Sequence, residues 1–142
     1  MFDKKKIAKA FMVEANDDIK SAEIMLKDRY YSKVVYFCQQ AVEKILKAAL
    51  IMKNIVIAEH KISGIFVKNF KEMGDIEKIK KAAEFLEKQG VKPRYPLFTR
   101  KDLPIWIPSR AYKEKDAKEA LKNTNFILEK ITKFLKDKFS IN

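Results

Sequence analysis

The chain has 142 residues, 47% of them hydrophobic, enough to bury one core and short enough to be read as a single domain over 1–142. Its 35% charged residues, with only 3 Gly and 4 Pro, argue against disorder and favour helices over strands. The formal net charge of +12 admits two readings, a lysine-rich solvated surface or a polyanionic partner such as nucleic acid, nucleotide or an acidic protein; only 4 of the 31 basic residues are Arg, the side chain that phosphate and base readers favour.

Residues 3–28 are expected to form the first helix, because Ala8, Phe11, Ala15, Asp18, Ala22 and Met25 recur at alternating steps of three and four, with Ile19 and Leu26 widening the stripe. Asp18 is the one polar residue on that seam, either at its rim or paired with a base on a neighbouring helix. The short break at Asp28-Arg29 predicts an antiparallel hairpin with the helix that follows.

That second helix, Tyr30–Lys53, contains no Gly or Pro and organises the chain. Lys33, Tyr36, Gln39, Gln40, Glu43, Lys44 and Lys47 fall on one polar edge of about 140°, and apolar residues from Val34 to Met52 fill the opposite half. An apolar arc of about 180° is wider than a one-sided surface stripe and predicts contact with at least two neighbours. The Glu43, Lys44 and Lys47 edge reads first as a solvated face and second as a charge-paired interface. Cys38, the one cysteine, lies on the apolar arc, so no disulfide forms within the chain, in keeping with a reducing cytoplasm.

A short third helix is expected at about 61–72 from Ile62, Ile65, Phe66 and Phe70, with His60 at its start as a cap or packing residue. Gly74 ends it, and Asp75 is the expected N-cap of a fourth helix whose stripe is Ile76, Ile79, Ala82, Ala83 and Leu86 and whose end is marked by Gly90. Residues 91–110 hold all four prolines, Tyr95, Phe98, Trp106 and three of the four arginines, and read as an extended loop. A last helix runs from Tyr112 to Phe139 on the seam Ala117, Ala120, Thr124, Ile127, Ile131 and Phe134, with Leu135 and Phe139 carrying the apolar face on and Ser140–Asn142 expected to fray.

One His and one Cys give no metal-ligand set, and neither a Walker-type loop nor G-x-G-x-x-G nor G-x-S-x-G is present, so neither metal nor cofactor is expected. The start MFDKKKIAKAF lacks the apolar core of a signal peptide, and no apolar run approaches the ~20 residues of a membrane span, which points to a cytoplasmic protein.

The pieces Phe11-x3-Ala15-x2-Asp18-Ile19-x2-Ala22, Tyr30-Tyr31, Phe37-Cys38-Gln39-Gln40-Ala41-Val42-Glu43-Lys44-x2-Lys47-Ala48, His60-Lys61-Ile62, Arg94-Tyr95-Pro96 and Tyr112-Lys113-Glu114-Lys115-Asp116-Ala117 together resemble the HEPN family of small helical domains over nearly the whole chain. The resemblance implies an all-α, antiparallel up-and-down bundle of four to five helices, usually a homodimer. It also implies nucleotide or RNA association, and pairing with a small nucleotidyltransferase, often as toxin and antitoxin. Catalytic members of the family are metal-independent ribonucleases built on R-x4–6-H. Here the positions where that His would fall hold Lys115, Asp116 and Ala117 after Arg110, Thr99, Arg100 and Lys101 after Arg94, Ile105, Trp106 and Ile107 after Arg100, and Val34, Val35 and Tyr36 after Arg29. The reading is therefore a non-catalytic binding module, with a ribonuclease of non-standard site or a purely structural partner as the alternatives.

Arg94 and Arg110, with Tyr95 and Tyr112, match the family's approach to its last helix and are the candidate nucleotide or phosphate contacts. Their competing role is structural, with Tyr95 and Trp106 as core plugs and the arginines as surface forks. Gln40, Glu43, Lys44 and Lys47 are the polar edge expected to face a groove or a dimer partner.

Overall fold

The structure is a computed structural model that describes residues 3–98 and 105–142. The described residues contain the helices α1 (Lys4–Lys27), α2 (Tyr31–Met52), α3 (Ser63–Asn69), α4 (Ile76–Glu87), α5 (Pro108–Ala111) and α6 (Glu114–Phe139). No strand is present among them, only an isolated antiparallel bridge between Leu97 and Trp106. The all-α expectation holds. Of the six helices α3 has 7 residues and α5 has 4, so the bundle proper is built from the other four.

The first reversal is tight. Arg29 adopts a left-handed φ of 64°, and the Tyr30 amide donates to the Met25 carbonyl at 2.8 Å. The start of α1 then meets the end of α2, where Lys4 Nζ donates to the Met52 carbonyl at 3.4 Å, which makes the pair antiparallel. α1 buries Ala8, Met12, Ala15, Asp18, Ile19 and Ala22, while Phe11 and Met25, placed on the seam by spacing, are half-buried. Of the two roles open to Asp18 the structure takes the paired one. Its carboxylate accepts from Lys44 Nζ at 2.7 Å across the hairpin.

α2 touches all five of the other helices. Val34, Cys38, Ala41, Ile45, Leu46, Ala48, Ala49 and Leu50 are each 0% exposed, and the small side chains at 41, 48 and 49 let neighbouring backbones come close. Burial pushes the Cys38 thiol up to about 12, against the pull of a hydrogen bond with Thr124, so this cysteine is packing and not a nucleophile. α6 lies along α2, α1 and α4 through Ala117, Ala120, Thr124, Ile127 and Ile131, the seam its spacing predicts.

The ends differ from expectation in ways that side chains explain. α3 is shorter than predicted, because Phe70 turns the chain out of the helix. Asp75 stands at the N-cap of α4 but makes no capping bond with its side chain. Its φ is 62°, and its carboxylate turns to Lys130 at 3.2 Å. The C-terminal tail is held, not frayed. Ser140 closes α6 at φ 58°, Ile141 donates to the Leu135 carbonyl, and its side chain is buried. Nearby, Glu72 takes hydrogen bonds from Lys138 at 2.7 Å and Lys53 at 2.9 Å, which hold its carboxyl down at about 2 and tie the ends of α2 and α6 together.

The segment 91–110 is less extended than predicted. A turn follows α4, Leu97 and Trp106 exchange backbone hydrogen bonds at 3.0 and 2.7 Å, and Pro108 opens α5. The middle of that loop, 99–104, lies outside the described residues. Because Ile45 is wholly enclosed at the centre of the helix that every other helix touches, Ile45→Ala is expected to lower stability by about 2–5 kcal/mol in urea unfolding. Val56→Ala, at a side chain 76% exposed, should change it by less than about 0.5 kcal/mol.

Candidate functional site

The polar edge of α2 is the part of that helix left uncovered, and it forms one wall of a cleft of about 220 Å³. The second wall is the end of α4 and the turn after it, from Leu86 to Arg94. The mouth carries His60 and Lys61 from the stretch before α3. Gln39 fixes the width of the cleft. Its amide nitrogen donates to the carbonyls of Leu86 and Gly90, each at 3.0 Å, so the last turn of α4 is closed by a side chain of α2. Gly90 sits at φ 53°, where a residue without Cβ is unstrained.

Glu43 stands on the same wall with its side chain 15% exposed. One carboxylate oxygen meets His60 Nδ1 at 2.9 Å, and the other accepts from Lys47 Nζ at 3.2 Å. A carboxylate at Nδ1 favours the tautomer with its proton there and leaves Nε2 outward as an acceptor. The imidazole itself is 82% exposed. His60 is thus neither a cap nor a packing residue. Glu87 does the capping: one oxygen accepts from the amides of Ile62 at 2.9 Å and Ser63 at 3.0 Å, and the other from Ser63 Oγ at 2.5 Å. This carboxylate on the first amides of α3 satisfies orphan donors and fixes the segment that carries His60.

The two acids lining the cleft therefore have their oxygens engaged. Its cations are placed differently. Arg94 lies over two rings, its guanidinium carbon 5.3 Å from the centre of Tyr36 and 5.6 Å from that of Tyr95. Neither Arg94 nor Lys61 forms an ion pair among the described residues. Gln40 is half-buried on the wall and has no side-chain hydrogen bond among the described residues. No three His, Cys, Asp or Glu side chains converge among the described residues in a way that would hold a metal ion.

The residues singled out from sequence separate into three groups. Gln40, Glu43 and Arg94 share the cleft, and Tyr95 backs Arg94. Lys47 is bound to Glu43, and Lys44 turns to Asp18, so the α2 edge is a paired, half-buried strip and not a solvated face. Arg110 is exposed on α5, outside the cleft lining. Tyr112 is buried, 6% exposed, not presented to a ligand. Its hydroxyl donates to Gln89 at 2.7 Å, its ring packs edge-on against Trp106 at 5.6 Å, and burial pushes it up to about 12 with help from the charge of Asp116. Sequence reasoning missed His60, Lys61 and Glu87 as cleft residues. The Glu43 and His60 positions lie 17 apart with a loop between them, so no spacing rule joins them.

The central helix of the bundle thus lines the cleft with Gln39, Gln40, Val42 and Glu43. The profile of the HEPN domain matches residues 8–135, and the chain belongs to the HEPN family. It is 37% identical over 143 aligned residues to the Methanocaldococcus jannaschii protein named "Putative toxin MJ1304", covering 96% of this chain and 93% of that one. Among solved structures it is similar to ST0689, described as an archaeal HEPN homologue, with TM-score 0.71 and 26% identity over 91% of this chain and 98% of that one. It is also similar to TT1696 from Thermus thermophilus, with TM-score 0.77 and 25% identity over 89% of this chain and 96% of that one.

Tyr112→Phe is expected to cost about 0.5–1.5 kcal/mol of stability through the lost hydrogen bond to Gln89, which urea or thermal unfolding checks.

Proposed function

We propose that this chain is a toxin-type HEPN protein that acts as a non-catalytic binding module for a nucleotide or RNA phosphate, with the phosphate at the mouth of the α2–α4 cleft. The observation that carries this reading is the pairing pattern of the cleft: Glu43 and Glu87 are consumed inside the fold, whereas Arg94 and Lys61 have no carboxylate partner among the described residues. Lys47 balances the charge of Glu43, and Glu87 set against Lys61 and Arg94 leaves the mouth weakly positive, in a protein whose formal net charge is +12. Cation–π contacts with Tyr36 and Tyr95 restrain the guanidinium of Arg94, which lowers the ordering cost of a phosphate contact. Arg110, exposed on α5, serves as a second phosphate contact outside the cleft. Family membership and the toxin-named relative support the toxin-type assignment. Assembly as a homodimer, pairing with a small nucleotidyltransferase and a cytoplasmic location rest on family membership and composition alone. Among the described residues no helix is long and apolar enough to cross a membrane.

A second reading, metal-independent ribonuclease, draws on one specific observation. The R-x4–6-H motif is missing from the sequence, yet a carboxylate-oriented imidazole and an arginine line one cleft. Glu43 holds His60 as a proton-transfer group in the manner of an orienting carboxylate, and Arg94 supplies positive charge. In this reading RNA is cleaved in the presence of chelator and His60→Ala abolishes the cleavage. In the binding reading the wild-type protein leaves RNA intact.

Calorimetry with nucleoside phosphates and short RNA across a salt series tests the binding reading. Arg94→Ala is expected to weaken binding by about tenfold or more, and loss of one phosphate contact should reduce the slope against log salt by about one. No binding at low salt, or an unchanged affinity in the Arg94→Ala/Arg110→Ala double variant, would overturn it.

A further inference from the structure

Nine large apolar side chains are exposed among the described residues, and four of them, Val91, Tyr95, Phe98 and Ile105, fall in the one stretch between α4 and α5. The backbone explains two of the four. Leu97 and Trp106 exchange both hydrogen bonds of an antiparallel bridge, so Phe98 and Ile105 are the next pair across it and present their side chains on the opposite face. The inner face is occupied. Trp106 packs edge-on against Tyr112, and its indole nitrogen donates to the Lys92 carbonyl at 2.8 Å. On the outer face Phe98 is 75% and Ile105 47% exposed. Neither lines the α2–α4 cleft, so a ligand in that cleft leaves them uncovered. Charge in this stretch has one sign. Residues 88–98 and 105–113 carry Lys88, Lys92, Arg94, Arg110 and Lys113, all exposed, and no acid. None of the five forms an ion pair among the described residues.

We infer that the bridge is a docking surface for a partner protein, which adds an extended acidic segment with apolar side chains at alternate positions. A second copy of the chain does not fit, because at a formal net charge of +12 it would set these cations against their own kind. A nucleic acid would match the charge but not the rest of the surface, since Ile105 and Val91 offer a base no ring to stack on. The main chain also favours a polypeptide. Residues next to a hydrogen-bonded antiparallel pair turn their N–H and C=O outward, and those of Phe98 have no backbone partner among the described residues. An incoming strand pairs with such groups. Beside Ile105 the outward carbonyl of Ile107 is already taken by the amides of Arg110 and Ala111, so the strand lies along Phe98. Alternation follows from this placement. Apolar side chains of the segment continue the Phe98 and Ile105 face, and its acids turn to the Trp106 face, where Lys92 Nζ lies 5.5 Å from the ring centre. Arg94 and Arg110 also belong to the phosphate reading, whereas Phe98 and Ile105 do not, so variants of the apolar pair separate the two.

In an amide NMR spectrum of the labelled protein, a short peptide in which glutamate and valine alternate should shift the Phe98 and Ile105 signals saturably. Replacing its glutamates by lysine, or methylating alternate backbone nitrogens, should remove the shift. Trp106 is the one tryptophan of the chain, so its fluorescence follows the same titration in variants. Phe98→Ser/Ile105→Ser, at two exposed positions, is expected to weaken the peptide by about tenfold or more and to leave thermal unfolding and nucleoside phosphate affinity unchanged. Shifts that the lysine peptide or the methylated peptide reproduces, or an affinity that the double variant keeps, would overturn the docking surface. A peptide that leaves both amide signals still would also overturn it. Single-stranded RNA moving them instead would assign the surface to nucleic acid, and broadening with protein concentration alone would assign it to a second copy.

Discussion

The burial of α2 constrains everything else in the molecule. A helix in contact with all five others has little surface left, and what remains is the narrow strip from Tyr36 to Lys47. Polar side chains on that strip cannot be dispersed into water as on an ordinary amphipathic helix. The half-buried charges among them find partners at the junctions with neighbouring elements, because a half-buried charge without one is costly. Lys44 reaches Asp18 on α1, Gln39 reaches the last carbonyls of α4, and Glu43 reaches His60 and Lys47. The strip is therefore a set of joints. Each joint fixes a neighbouring element, and the cleft is the space that these joints hold open.

The same shortage of partners sets the charge of the cleft. Glu43 and Glu87 enter its wall as acids, yet one holds an imidazole and an ammonium and the other holds the start of α3. Positive charge from Lys61 and from Arg94, which rests on two tyrosine rings, dominates what is left. Structure and function are linked here through the allocation of hydrogen bonds. The carboxylates that stabilise the fold are also the ones that the proposed binding reading leaves out of the ligand contacts.

Much of this was legible in the amino-acid sequence, and the failures share a cause. Long periodic segments named themselves: the seams of α1 and α6, the wide apolar arc of α2 and the Gln39–Lys44 block placed the chain in its family before any coordinates. Asp18 was readable as a partner for a neighbouring base because it stood alone on an apolar seam. Contacts between distant segments were not readable. Glu87 caps α3 from a position 24 and 25 residues downstream, and Glu43 meets His60 across a loop. Tyr112 misled for a related reason. Its place beside the last helix matched a ligand contact, but the buried hydroxyl found Gln89. Asp75 stands at the N-cap its place in the sequence predicts, but the left-handed backbone there turns its side chain towards Lys130.

The central claim is that the joints of α2 create one seat for a phosphate-bearing ligand. A crystal structure of the protein with a bound nucleoside monophosphate tests it most directly. The account predicts the phosphate within hydrogen-bond distance of Arg94 or Lys61 and the Glu43 bond to His60 intact. A nucleotide found instead in the open groove between α1 and α6, beside Asn16 and Lys133, with the α2–α4 cleft empty, would contradict it.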